Sequence, residues 1–414
     1  MSRAAPRDVS RVLCLLADGL HSGYLGAYGN AWLSTPAFDR LASRSFLFDR
    51  ALVNSTCATA QHRAIWGADW RAAFQADVAE STALVQLASA GYHTMLVTDD
   101  EAAHRGHVDR FDVCETIEIA AATRAAGTIQ QTRLASFFEG LSSAIAAAPD
   151  EVVIWAHTRG MRHAWDAPYD LRLAYADADD PPPPQSIEPA QGVLDADTDP
   201  DVLLGWRQAY AAQIVVLDAC LGALVEQLEA LPAAESTALM LLSTAGYPLG
   251  EHGVLGTSAG GLFAESVAAP WMMALPSSCD AVDRCDALVQ PSDLLPTILD
   301  LCGVADESQR QRSLLPLTAG RAGHLRDRLI ISGRLPDEWA IATSAWYLRH
   351  GGERDGAGAT QLFAKPDDRW DQNDVAALCP DVVAAMRDHA EEMRQLGGPH
   401  SWRPLEDLLQ QSHS

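Results

Sequence analysis

"RVLCLLADGLHSGYLGAYGN", residues 11–30, decides how the rest of the chain reads. From Arg11 to Ala17 the residues are almost all apolar, and the run stops at Asp18. Apolar residues on both faces are what a parallel strand inside an α/β sheet requires, because helices cover it on either side. Ligands of open α/β sheets gather at the carboxyl ends of the strands, which puts Asp18 where a metal or a substrate group belongs.

The same rhythm continues outward. "TPAFDRLASRS" (35–45) predicts a short helix with Thr35 as its cap and Pro36 at its first position. "SFLFDRALV" (45–53) is a strand that runs into the loop "NSTCATAQHRAIWGADW" (54–70). "ESTALVQLASAG" (80–91) followed by "YHTMLVTDD" (92–100) is a helix, a glycine and a strand, the βαβ signal. An alanine-rich helix over 131–147 precedes the buried strand "EVVIWAHTRG" (151–160), with His157 near its end. Apolar residues three and four apart predict a long helix over 201–231. "TALMLLSTAGYPLGEHG" (237–253) is a strand opening into a glycine-rich loop, and 290–304 a helix with Ser292 as cap and Gly303 as stop.

Two stretches break the pattern. Residues 177–201, "DADDPPPPQSIEPAQGVLDADTDPD", are acidic and aperiodic, and their prolines lack backbone donors and fix extended geometry, so they read as a surface excursion. Beyond about residue 325 the texture changes to short strands, "RLIISGR", "WAIATSAWYLRHG" and "TQLFAKPDD", then a polar helix. The expected architecture is therefore α/β: a mainly parallel sheet flanked by helices over 8–322, then a small C-terminal α+β subdomain with an antiparallel sheet over 323–400. No internal repeat is visible.

Charge narrows the function classes. Lys and Arg total 30 against 55 Asp and Glu, a formal net charge of −25. Nucleic acids and anionic membranes need a basic footprint, so neither is an expected partner. The 8 cysteines form no CxxC, and no Cys/His cluster has zinc spacing along the sequence. Cys279 and Cys285 are the one plausible disulfide pair. The N-terminal apolar run is too short for a signal peptide or a membrane span, so a reducing, cytoplasmic setting is expected.

With the loops lined up, the chain resembles the sulfatase family of the alkaline-phosphatase superfamily from residue 10 to about 380. "ADGLHSGYLGAYGN" (17–30) and "STPAFDRLASRSFLFDRA" (34–51) are similar to the family opening A-D-D-x-G-x-x-D-L-G-x-Y-G with T-P-N-L-D-R-L-A. "GYPLGEHGVLG" (246–256) resembles the D-H-G-x-x-x-G-E-H-G loop, "FAESVAAPWMMALP" (263–276) the segment L-Y-E-E-S-x-x-x-P-L, and "DLLPTILDLCGV" (293–304) the segment D-L-x-P-T-L-L-D-L-A-G-V. The resemblance implies a divalent cation held by two adjacent Asp and by a later Asp with Asn or His. It also implies a Cys or Ser in C-x-P-S-R oxidised to formylglycine, whose hydrate attacks sulfur, with Lys and His residues on the sulfate. A sulfate ester develops charge on several oxygens at once, and a dry site must meet them with positive groups.

Position by position, this chain departs from that pattern. The Asp pair appears as Asp18-Gly19, and the later Asp-His falls on Thr244-Ala245. Asp18 is thus the one metal candidate carried over. A hard cation wants six to eight oxygen ligands, so the expectation is no cofactor, or Ca²⁺ or Mg²⁺ only if the degenerate site still binds. Setting Arg63 on the Arg of C-x-P-S-R puts Thr59 at the nucleophile position and Gln61 and His62 at Pro and Ser; Cys57 stands two residues early. Threonine cannot become formylglycine, because its β-carbon already carries a methyl group. Thr59 reads as a relic that caps a helix, or as a direct nucleophile needing a metal or base.

After "GYHTMLV", Asp99 and Asp100 stand where the resemblance implies Lys and His, and His104 and His107 read as solvent-exposed. His157 or His163 could face a leaving group, Arg63 and Arg159 could hold an anion, and His252 steadies its loop. The leading expectation is a sulfatase-family protein whose sulfate-ester hydrolysis is impaired or lost, with a small anionic ester as possible ligand. The alternative is a divergent sulfate- or phosphate-ester hydrolase using Thr59, helped by Asp18 and His157 or His163. A third reading is a structural partner of an active sulfatase.

Overall fold

Arg11–Ala17 lies in the middle of an eight-stranded sheet in the computed structural model, which describes every residue except 1–8, 77, 79–80, 196, 259, 277–282, 336, 352–358, 396–401 and 411–414. From edge to edge the strands are Asp283–Cys285, Phe46–Phe48, Trp271–Ala274, Thr237–Leu242, Arg11–Ala17, Val152–Thr158, His93–Thr98 and Val113–Thr116. Trp271–Ala274 runs against both of its neighbours, and the other pairings are parallel.

The apolar run at the start of the chain has a double duty. Leu13 and Leu15 face the helices Arg133–Ala147 and Pro200–Glu229, meeting Phe137, Leu141, Leu217 and Leu221. Val12, Cys14 and Leu16 point the other way, toward Leu294, Ile298 and Leu299 of the helix Leu294–Leu301 and toward Trp66. Alternate residues thus feed two cores, and each buried leucine contributes about 1.5–3 kcal/mol. The Pro200–Glu229 helix is long and apolar enough to cross a bilayer, but most of its apolar stretch is buried here, packed against this sheet.

Local readings needed two corrections. Thr35 holds the N-cap position of the helix Pro36–Ala42, but its side chain does not do the capping: its hydroxyl accepts from Gly26 N, and the Asp218 carboxylate takes the N–H groups of Ala37 and Phe38 from the long helix. At the helix read as 290–304, a tight turn over Pro291–Asp293 comes first, and Gln290 with Asp293, not Ser292, forms the capping box; Gly303 ends it in the left-handed region at φ +76°. The proline-rich stretch lies mostly at the surface, as expected, and is tied to the fold at a few points. The buried Arg172 guanidinium binds the carbonyls of Trp165, Pro184 and Ser186, and Gly192–Val193 pairs with Val254–Leu255.

The C-terminal part is an antiparallel sheet of Arg328–Ser332, Trp339–Thr343, Trp346–His350 and Thr360–Ala364, with the helix Pro380–Gln395 against it. Leu329, Ile331 and Ala340 pack on Val53, Val267 and Leu288, so this sheet shares a core with the larger one. The seven described cysteines are free thiols, and Cys279, of the pair proposed from sequence, lies outside the described residues.

Candidate active site at the carboxyl ends of the central strands

Asp18 follows directly on the Arg11–Ala17 strand, His157 sits one residue from the end of Val152–Thr158, and Thr98 closes His93–Thr98. The parallel register brings these ends level: Ala17 pairs with Thr158, and Thr98 with His157. Asp18 and His157 are buried, with 4% and 0% of their surface exposed. Gly160 reaches in from the next turn, where an added Cβ would stand 2.8 Å from the Asp18 carbonyl oxygen at a φ of +47°, so only glycine fits.

Four groups converge on the Asp18 carboxylate. His157 Nε2 lies 3.3 Å from Oδ1, the Thr244 hydroxyl donates to the same oxygen, and Arg162 Nη1 lies 3.7 Å from Oδ2. His62 completes the set: one ligand atom from each of Asp18, His62 and His157 lies within 4.8 Å of the others. Thr244 therefore occupies the place that motif register assigned to it, but brings a hydroxyl where a carboxylate is implied. Gly19, in the place of the second Asp, is a left-handed turn at φ +73° whose carbonyl accepts the Tyr210 hydroxyl.

His104 corrects the sequence reading. It is fully buried, at the end of a tight turn over Glu101–His104, and its ring sits 5.2 Å from His62 and 4.7 Å from His157, edge to face with both. Its neighbour His107 is half-buried and stacks on Trp66. The three buried imidazoles come from separate segments, 62, 104 and 157, so no local spacing announces them. Neither ring nitrogen of His62 nor of His104 has a hydrogen-bond partner among the described residues.

The charges follow from this packing. Burial penalises the Asp18 carboxylate, yet His157 and Arg162 outweigh it and hold Asp18 well below the usual carboxylate range. Burial likewise opposes a charged His157, but Asp18, Asp99 and Asp100 raise it above its ordinary value. His62 has no such dominant partner; burial, then the positive charge of His157, pushes it down to about 3.

The remaining sequence candidates divide by helix face. In the helix Ala58–Gly67, His62 and Trp66 are four apart and face inward, while Thr59 and Arg63, also four apart, share the outer stripe. Thr59 is exposed and is not the cap, which is Cys57. The Thr59 hydroxyl makes no hydrogen bond among the described residues. Arg63 Nε donates to the Ala72 carbonyl at 3.1 Å, and Gln61, in the place of the implied proline, takes the N–H groups of Asn54 and Ser55.

His163 is half-buried with its ring 3.5 Å from Arg133, and burial, then Arg159 and Arg133, lower it to about 4. Arg159 faces Asp100 at 3.7 Å, while Asp99 accepts from the Thr158 hydroxyl and the Arg159 N–H, both at 2.8 Å. His252 is locked between Glu265 and the Asp371 carbonyl, each at 2.9 Å, and stacks on Phe263, as a loop-steadying role requires.

A family model of sulfatases matches residues 10–304. The chain belongs to the sulfatase family. No curated protein sequence matches it. Among solved structures, the phosphonate monoester hydrolase of Agrobacterium radiobacter aligns with a TM-score of 0.72 at 16% identity, covering 94% of this chain and 95% of that one. A structure in complex with its substrate D-glucosamine-2-N,6-O-disulfate gives 0.74 at 15% identity, over 94% and 97%. The phosphonate monoester hydrolase of Silicibacter pomeroyi gives 0.69 at 14%, over 95% and 97%. At these identities the likeness speaks for the fold, the sulfatase arrangement of a mainly parallel sheet with a C-terminal antiparallel one.

The hard divalent cation implied by the family does not suit this donor set. One carboxylate, one threonine hydroxyl and imidazole nitrogens fall short of the six to eight oxygens that Ca²⁺ takes, and Mg²⁺ is held by carboxylates and water in an octahedron.

A separate cavity lies apart from these residues. A cleft of about 510 Å³ between the two sheets is lined by Asp49, Arg50, Arg284, Lys365, Trp370 and Asp371 among others, and by none of Asp18, Thr59, Arg63, His157 or His163.

Proposed function

We propose that this sulfatase-family protein has lost, or nearly lost, the hydrolysis of sulfate esters, and that what remains is at most the binding of a small anionic ester. The observation that carries the reading is the condition of Asp18. Its carboxylate is buried and engaged by Thr244, His157 and Arg162, and no second carboxylate is there to share a cation among the described residues. Activation of a hydroxyl nucleophile needs a metal or a base beside it, and Thr59 has neither in hydrogen-bond contact among the described residues. Asp99 and Asp100 add negative charge where an anionic ester would need positive charge to bind and react.

The relatives' names mark the ligand class to try: phosphonate monoesters and sulfated glucosamine. Purified protein is to be assayed with aryl sulfate, aryl phosphate and phosphonate monoesters, with and without added Ca²⁺, Mg²⁺ and Mn²⁺. No turnover above the Asp18→Asn variant is expected. Turnover that Asp18→Asn or Thr59→Ala abolishes would overturn the reading, and loss in Thr59→Ala would favour the divergent hydrolase instead.

A further inference from the structure

We propose that Asp18, His62 and His157 form a site for a borderline first-row dication, with Zn²⁺ as the best fit and the ring of His104 packed alongside. The inference begins with unmet hydrogen bonds. His62 is 3% exposed and His104 0%, and none of their four ring nitrogens has a partner among the described residues. Buried polar groups are nearly always paired, and an orphan in a native fold calls for a water or an ion. Here the orphans are not scattered. Both rings adjoin His157, at 4.9 Å for His62 and 4.7 Å for His104, and His157 points Nε2 at Asp18.

The donor chemistry names the ion. Neutral imidazole and carboxylate are ligands that Zn²⁺ accepts in a four-coordinate site, and imidazole suits Zn²⁺, Co²⁺ and Ni²⁺ far better than Ca²⁺ or Mg²⁺. The supporting contacts are also in place. His157 Nδ1 meets the Thr98 hydroxyl at 3.2 Å, the kind of bond that fixes a ligand ring and its tautomer while Nε2 takes the metal. Thr244 holds Asp18 Oδ1. Arg162 is the competitor: its Nη1 lies 3.7 Å from Oδ2, its side chain is 16% exposed, and its Nε has no partner among the described residues. The guanidinium can swing toward solvent and yield the carboxylate to a cation.

The chain has thus exchanged an oxygen-rich cage for a nitrogen-rich one around a single retained Asp. This follows from the geometry of the cluster, not from the absence of turnover, and its test reads binding rather than activity.

Full-length protein, stripped with a chelator, is dialysed against Zn²⁺, Co²⁺ or Ca²⁺, and bound metal is counted. One equivalent of Zn²⁺ or Co²⁺ per chain is expected, and none of Ca²⁺. Bound Co²⁺ should show the intense visible bands of a four-coordinate ion. His62→Gln and His157→Gln should each weaken binding by at least about tenfold, by comparison with what loss of an orienting partner alone does. Arg162→Met, at a partly exposed side chain that need not disturb folding, should tighten it. The proposal is overturned by a wild-type chain that keeps no Zn²⁺, by preference for Ca²⁺, by weak octahedral Co²⁺ bands, by undiminished binding in a folded His62→Gln variant, or by no gain in Arg162→Met.

Discussion

At the carboxyl ends of the central strands, two buried histidines have no partner for any ring nitrogen among the described residues, whereas in the cleft between the two sheets most of the charged groups are paired. There, Arg284 meets Asp49, Lys365 meets Asp371 at 2.6 Å, Arg50 holds the carbonyls of Thr343 and Ser344, and Arg369 holds that of Tyr28. The cleft has room and most of its charges are paired, while the Asp18 cluster is closed yet has donors and acceptors to spare. Open space and unmet polarity therefore lie in different places. Unsatisfied polarity, which is costly when buried, points to the strand ends.

The largest effect should come from breaking the cluster at its one anion. Asp18→Ala leaves His157 and Arg162 without the carboxylate that neutralises them, and truncating one partner of a buried charged set costs about 3–5 kcal/mol. Urea unfolding of wild type and variant would measure it. A loss under about 1 kcal/mol would mean that the two regions do not differ in how strongly they are bound together.

Next in size is a pH effect from the cleft. Burial raises Asp371 to about 6 in spite of Lys365. A carboxyl whose pKa is higher in the folded chain binds more protons folded than unfolded between about 4 and 6. Stability is then lost as pH rises through that window. The loss reaches up to roughly 3 kcal/mol, because each tenfold difference in proton affinity between the folded and unfolded chain is worth about 1.4 kcal/mol. Stability curves at pH 4 and pH 7 should show this loss, and Asp371→Asn should flatten it. An unchanged slope in that variant would dismiss Asp371 as its source.

The sequence carried the fold well and the site in part. The apolar run of residues 11–17 and the glycine-marked loops near 246–256 and 303 are local signals, set by what a buried strand or a left-handed turn demands. Asp18 at a strand end and Thr244 in the place of the missing ligand were legible for the same reason, through motif register. His62 and His104 were not. Their partnership joins a helix face, a tight turn and a strand end that are 42 and 53 residues apart in the chain, counted from 62 to 104 and from 104 to 157. The useful signal was there in the inward spacing of His62 and Trp66, which a reading centred on Thr59 and Arg63 passed over. Caps failed likewise at Thr35, because Asp218 supplies the bonds from the far side of the fold.

A smaller change sharpens the contrast. In metal-free protein, His104→Phe replaces two unpaired ring nitrogens by carbon while keeping an aromatic ring against Trp66, His62 and His157. Removing an unsatisfied buried polar group should be stabilising by about 1 kcal/mol, offset by a cost of about 1 kcal/mol for fitting the larger phenyl ring, so the net change should be close to neutral. Thermal melts with a chelator present would measure it. Destabilisation by more than about 2 kcal/mol would show that His104 has a partner in the folded chain, and the orphaned state of the cluster would have to be abandoned.

The smallest effect is expected at Thr59, the residue that the family register places at the nucleophile. It stands in the first turn of Ala58–Gly67, exposed, on the outer stripe of the helix, while His62 on the inner face joins Asp18 and His157. Thr59→Ala removes a solvated hydroxyl that caps nothing and holds no partner among the described residues, so the change in stability should stay within about 0.5 kcal/mol. Zn²⁺ affinity should be equally unmoved, because none of the cluster's ligand atoms belongs to this residue. Denaturant midpoints and metal titrations of the single variant check both. A shift in either would join the helix's outer face to the buried cluster, and the two sides of this helix would then have to be treated as one site.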